Sequence, residues 1–154
     1  MTSPNTQHQV CLLTSMEQAA VITIALDFYS RICSGQLNEI TEFVRMGLLP
    51  QWNTKPDQSH APVSHATQLQ IDQVDTLARK IKQALGFPPS CSYSIGSHHL
   101  PTSVHRAWEV KKVIEKAMAE HENPNPVFKS VRYDGLLIRY TKDPAPVCTI
   151  QTKR

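Results

Sequence analysis

The sequence predicts an α+β domain of about four helices with a small, mainly antiparallel sheet that includes a C-terminal β-hairpin. Three observations lead there. Apolar residues recur at three- and four-residue intervals in four segments, as they do in a helix with one face on a core. Gly35, Gly86, Pro88-Pro89 and Asn123-Pro124 punctuate those segments. Residues 127–141, VFKSVRYDGLLIRYT, set Asp134-Gly135 between two apolar-rich runs. That is the strongest short-range sign of a hairpin, because the favoured two-residue turn needs positive φ at both central positions.

Taken in order, residues 1–8 are polar and read as a frayed end, and 9–13 as a short strand. Thr14 and Glu17 have capping-box spacing, with Ser15 and Gln18 as a second register. The first helix then runs to about Cys33 with Ala19, Ile22, Leu26, Tyr29 and Cys33 toward the core, and Gly35 stops it. Its other faces are apolar too, at Val21, Ile24, Phe28 and Ile32, which predicts burial on two sides, deep in the domain or against a second subunit. A shorter helix spans 36–46, and 47–65 reads as a long loop with Pro50, Pro56, Pro62 and an unexpected Trp52, either pinned to the core or placed for stacking. The third helix, about 67–85, turns Val74, Leu77, Ala78, Ile81, Ala84 and Leu85 to the core. A short strand at 92–95 precedes the fourth helix, 102–121, capped by Thr102 or Ser103. Ala107, Val110, Val113, Ile114, Ala117 and Met118 form its core face, and Glu109, Lys112, Glu115, Lys116 and Glu120 its solvated face. The hairpin follows, and 147–151 reads as a last strand.

A chain of 154 residues with 40% hydrophobic and 19% charged residues predicts one globular domain, 1–154, with a core that needs no staples. A net charge of +3 admits an anionic ligand without calling for nucleic acid, whose binders carry a denser basic footprint. Cys11, Cys33, Cys91 and Cys148 form no C-x-x-C pair, so reduced thiols and a cytosolic setting are expected. No signal sequence and no membrane-length apolar run is evident.

Two groups of residues attract a functional reading. In the hairpin register Arg132 and Arg139 are diagonal neighbours on one face, either solvated or paired with acids, or gripping an anion between two planar forks. The start of the fourth helix gathers Thr102, Ser103, His105, Arg106 and Trp108, where free N–H groups favour an anion and the indole suits a base; the alternative is a routine cap, a core Trp and a surface Arg. Tyr93 is a second candidate for stacking. His60, His65, His98, His99 and His105 lack the spacing of a metal site, and no nucleophile elbow, P-loop or dinucleotide glycine pattern occurs. Metal, cofactor and catalytic residues are therefore expected to be absent.

Three segments together resemble a known family: 25–31, ALDFYSR, followed by Gly35-Gln36-Leu37; 106–110, RAWEV, leading to Asn123-Pro124; and Tyr133-Asp134-Gly135 followed by Arg139-Tyr140-Thr141. The set resembles small bacteriophage accessory proteins, and among them is similar to the first class of anti-Thoeris sponges. The resemblance implies a protein that performs no chemistry. It implies binding and sequestration of a cyclic ADP-ribose isomer, with cyclic oligonucleotides as further ligands, and assembly as a dimer or higher oligomer in the host cytoplasm. Alternatives are an enzyme that cleaves such signals, using His98, His105 and Arg106, and a phage adaptor that binds a host protein.

Overall fold

A computed structural model describes residues 10–49, 51–52, 62–63 and 65–151, with backbone only at 51–52 and 62–63. The expected frayed end at 1–8, His60 and the environment of the Trp52 indole lie outside the described residues. Four helices make the frame: α1 (Met16–Cys33), α2 (Glu39–Arg45), α3 (Gln68–Ala84) and α4 (Thr102–Glu122). α1 packs along α4, α2 packs on α3, and α1 touches α2.

The helix starts follow their side chains. Ser15 caps α1 in the second of the two expected registers, with a reciprocal bond from Gln18, and Thr67 and Gln70 do the same for α3. α4 departs from expectation: Pro101 is its N-cap, and neither Thr102 nor Ser103 caps it. The Ser103 hydroxyl is engaged elsewhere, 2.8 Å from the Tyr29 hydroxyl. Gly35 ends α1 at φ 90°, a conformation open to glycine and costly for any residue with a Cβ.

The α+β expectation is overturned: the fold is α-helical. Among the described residues the single β pairing is a two-residue antiparallel ladder, β1 (Gln51–Trp52) with β2 (Pro62–Val63). The strands expected at 9–13, 92–95 and 147–151 are absent from the described residues there. The hairpin at 127–141 does not form either, and Val131–Tyr133 is a turn of 3₁₀ helix, η1, lying against α4. Asp134 has φ −65°, so the primed turn that needs positive φ at both central residues is ruled out, although Gly135 has φ 64°.

The reason is where the backbone bonds go. In a hairpin, Tyr140 would donate to the facing strand and Thr141 would point its N–H outward. Here their N–H groups donate to the Glu109 carboxylate on α4, at 2.7 and 2.9 Å. The Thr141 hydroxyl and Arg139 Nε donate to the same carboxylate at 2.9 and 3.1 Å. Glu109, expected on a solvated face, is 2% exposed. Lys112, expected beside it, is buried too and donates from Nζ to the Val131 carbonyl at 2.7 Å. α4 thus uses two charged side chains to hold the irregular C-terminal segment.

The core is small. Val104, Leu100, Ala107, Met118 and Ala119 bury around α4, and Leu37, Val44, Ile71 and Ala78 bury around α2 and α3. Phe28 and Phe43 join α1 to the second group with ring centroids 4.3 Å apart. The expected core stripe of α3 is mostly uncovered: Ala78 is buried, but Leu77, Ile81 and Leu85 are exposed. On α1, the second apolar face is covered in part: Phe28 and Ile32 are half-buried, while Val21 and Ile24 are exposed among the described residues.

Candidate functional site

Between α1 and α4 lies a polar pocket of about 210 Å³. α1 supplies Asp27, Ser30 and Arg31 to it, and Ser34 and Gln36 follow from the turn after the helix. α4 supplies Trp108 and Lys111, and Ile95 closes one side. Spacing explains the set. Asp27 and Arg31 are four residues apart, as are Ser30 and Ser34, so each pair stacks on one helix face. Trp108 and Lys111 are three apart on the facing helix.

The pocket is a charge network. Arg31 donates from Nε to Asp27 at 2.7 Å, and from Nη1 to Glu39 at 3.0 Å and to Gln36 at 3.2 Å. Lys111 bonds the other Asp27 oxygen from α4 and lies 3.4 Å from Glu115. Burial pushes the Asp27 carboxyl up, but the bonds and charges of Lys111 and Arg31 outweigh it and hold the group below its ordinary value. Burial likewise lowers Arg31, and Asp27 and Glu39 more than restore it. The two lining cations, Arg31 and Lys111, thus meet three carboxylates, those of Asp27, Glu39 and Glu115. Among the described residues Arg31 Nη2 donates to no partner; the Nε hydrogen and both Nη1 hydrogens are taken, so Nη2 alone is left to meet an anion, as a single donor and not as a fork.

Trp108 is half-buried, and Tyr140 meets it edge-on with centroids 5.4 Å apart. Tyr140 also leans over His105 at 5.4 Å. The Glu109 carboxylate sets this wall, since it holds the Tyr140 N–H. Burial raises the Glu109 carboxyl, and the Thr141 and Tyr140 N–H groups, the Thr141 hydroxyl and Arg139 together bring it below its ordinary value. Glu109 touches no pocket surface; it positions Tyr140, and through it Trp108. Beyond Ser34, whose carbonyl accepts the Tyr93 N–H at 2.8 Å, a row of rings runs Phe87, Tyr93, His99, His98 with centroids 5.5, 5.3 and 4.0 Å apart.

Of the residues singled out in the sequence, Trp108 lines the pocket and Tyr93 stands next to it. Ser103 bonds Tyr29 and Thr102 is exposed at the helix start. His105 is buried with Nε2 unpartnered among the described residues. The three expected anion-gripping arginines do not converge. Arg106 is on the surface, bonded to Asp143; Arg132 pairs with Glu122 at 3.3 Å; Arg139 is held by Glu109 and the Asp143 carbonyl. The register that would have made Arg132 and Arg139 neighbours went with the hairpin. The cations that do meet are Arg31 and Lys111. One signal marks the first of them: between Glu17 and Glu39, Asp27 and Arg31 are the only charged residues in an otherwise apolar and neutral run.

No group of three or more potential metal ligands occurs among the described residues, and no described helix is long and apolar enough to cross a membrane. No protein-family model, curated protein sequence or solved structure matches the chain.

Proposed function

We propose that this protein is a non-enzymatic phage counter-defence sponge that binds and sequesters a cyclic nucleotide immune signal, in the first place a cyclic ADP-ribose isomer. One observation carries the reading. Two of the three segments by which the chain resembles anti-Thoeris sponges, 25–37 and 106–110, meet across the polar pocket, where Asp27, Arg31, Gln36 and Trp108 face one another with Lys111. The chemistry suits such a ligand. Pyrophosphate favours a guanidinium fork beside an ammonium, and adenine favours an aromatic surface. At about 210 Å³ the pocket is smaller than the roughly 300–1,000 Å³ usual for small-molecule sites. It takes the pyrophosphate and a ribose, with the base outside, over Trp108 or the Tyr93–His99 rings. In this reading Arg106, Arg132 and Arg139 hold the C-terminal segment and do not touch ligand. A sponge needs tight ground-state binding and slow release, so no side chain has to be poised for a transition state.

Incubation of the purified chain with cyclic ADP-ribose isomers tests it. The ligand should disappear from solution and return intact after heat denaturation. Arg31→Ala should weaken binding about 10–100-fold by removing a charged donor and the bonds that hold Asp27 and Gln36 in place. Recovery of a cleaved product replaces the sponge with an enzyme, and no depletion of any cyclic nucleotide refutes both.

A further inference from the structure

The cations of the pocket are already engaged before any ligand arrives. Arg31 and Lys111 meet the carboxylates of Asp27, Glu39 and Glu115, one acid more than there are bases. The lining hydroxyls are engaged as well: Ser30 donates to the Leu26 carbonyl at 2.8 Å and Ser34 to the Arg31 carbonyl at 2.9 Å. An entering anion therefore meets Arg31 through Nη2 alone, beside a surplus carboxylate that repels it. Tight binding needs one of the three carboxylates to give way.

The three are not held alike. Asp27 is fixed from two sides, one oxygen by Arg31 Nε a helical turn away and the other by Lys111 on α4. Glu115 lies on α4 near two ammoniums, 3.4 Å from Lys111 and 3.9 Å from Lys112. Among the described residues the Glu39 side chain has a single partner, Arg31 Nη1 at 3.0 Å, a nitrogen it shares with Gln36. Glu39 also comes from outside the seam. It is the first residue of α2, beyond the turn at Gly35, and lines none of the pocket. Its side chain is 17% exposed and that of Arg31 42%, so water reaches the pair and weakens it. Withdrawing Glu39 costs one bond, removes the surplus acid and returns an Nη1 hydrogen to the pocket beside those of Nη2. Two nitrogens of one guanidinium then face the oxygens of a phosphate.

We propose that Glu39 is a built-in competitor for Arg31, seated on the guanidinium in the empty pocket and displaced by the phosphate of the ligand. This role rests on the anion-binding reading of the pocket, and it names the residue that sets the affinity there. A competitor lowers the affinity of every anion by the same factor. Weakly held ones, such as chloride and single carboxylates, then stay out, while a diphosphate with several charges keeps enough affinity to bind.

Calorimetric titration of inorganic pyrophosphate into the full chain at low ionic strength, where screening is least, tests this. Glu39→Gln keeps an acceptor oxygen for Nη1 but no charge, and should bind pyrophosphate about 3–10-fold more tightly than wild type. Glu39→Asp, one methylene short of the same reach, should shift binding in the same direction, and keeps the sign readable if Glu39→Gln does not fold. Glu42→Gln makes the same change of charge one turn along α2, on an acid that pairs with Arg45, and should stay within about 2-fold of wild type. The sign decides, because an acid that merely held Arg31 in place would weaken binding when neutralised. Binding by Glu39→Gln no tighter than by wild type overturns the proposal, as does an equal gain in Glu42→Gln, or no pyrophosphate bound by any of the four proteins. The sponge reading fails separately. Tighter pyrophosphate in Glu39→Gln with no cyclic nucleotide depleted supports the competitor and refutes the sponge. Nucleotide depleted, with pyrophosphate binding unmoved by Glu39→Gln, does the reverse.

Discussion

The seam between α1 and α4 and the outer face of α3 invert the usual distribution of residue types. In the seam, Asp27, Arg31 and Lys111 interlock across a pocket, and on the neighbouring face of α4, under the C-terminal segment, charged groups lie inside: Glu109 is 2% exposed and Lys112 9%. On α3, leucines and an isoleucine lie outside. Each arrangement is costly to folding taken alone. A buried charge must recover its desolvation through bonds, and an exposed apolar stripe forgoes its transfer energy. The difference lies in how the cost is met. The seam meets it inside the chain, with every oxygen of Glu109 and Asp27 bonded. The seam is thus finished as a structure and open only as a pocket, whereas on α3 no described residue covers the stripe.

The strongest way to break this contrast is Glu109→Ala. It removes one acceptor site from four donors and leaves Arg139 unpaired next to two orphaned N–H groups. Removing one partner of a buried pair costs about 3–5 kcal/mol, against which a domain of this size has only about 5–15 kcal/mol in hand. Chemical denaturation should show most of the stability gone, and hydrogen exchange should show the N–H groups of Tyr140 and Thr141 unprotected. The same carboxyl sets a pH dependence. Its folded value lies below the unfolded one, so the bonds contribute fully above the unfolded pKa of about 4.3. Their contribution is lost as pH falls through the folded value. Wild type should therefore lose stability on the acid side more steeply than Glu109→Gln. Equal acid limbs would mean that the carboxylate is not the fastening of the C-terminal segment.

A smaller effect is expected at the junction between the two regions. Gly35 ends α1 at φ 90°, and a Cβ there would stand 2.5 Å from Phe87 Cε1. Gly35→Ala thus carries about 1–2 kcal/mol of left-handed strain, and in addition pushes the Phe87 ring off Tyr93. Loss of near-ultraviolet aromatic signal together with a lower denaturation midpoint is the expected outcome. An unchanged aromatic signal would show that the ring row beside the pocket does not depend on this turn.

Local signals in the sequence were read well where local chemistry decided the structure. Ser15–Gln18, expected as the second register, Gly35 and Gly86 act over a few residues, and α1 begins at the first and α1 and α3 stop at the glycines; the Thr67–Gln70 box that starts α3 was equally local but went unread. The hairpin failed because Asp134-Gly135 competes with a carboxylate 31 residues before Tyr140, and nothing local reveals that Glu109 is waiting for those N–H groups. The same distance hid the pocket: Lys111 bonds Asp27 across 84 residues. Charged residues at 109 and 112 were assigned to solvent because an unpaired charge belongs there, and their partners are long-range. On α3 the stripe itself was legible; periodicity shows an apolar face and is silent on whether the same chain or another covers it.

The smallest expected effect separates two ion pairs that both tie α4 to the C-terminal segment. Arg139 meets a carboxylate that is 2% exposed, while Arg106 meets Asp143 in the open. The bond to Arg106 holds the Asp143 carboxyl below its ordinary value, but both partners are solvent-facing and salt screens them. Arg106→Ala should therefore leave the denaturation midpoint where it is at moderate salt, and should leave ligand binding unchanged as well, since Arg106 lines no part of the pocket. Arg139→Ala, one strand of chain away, should lower the midpoint clearly. If Arg106→Ala instead abolished binding with the fold intact, the ligand would sit at the exposed start of α4, and the seam would be fastening alone.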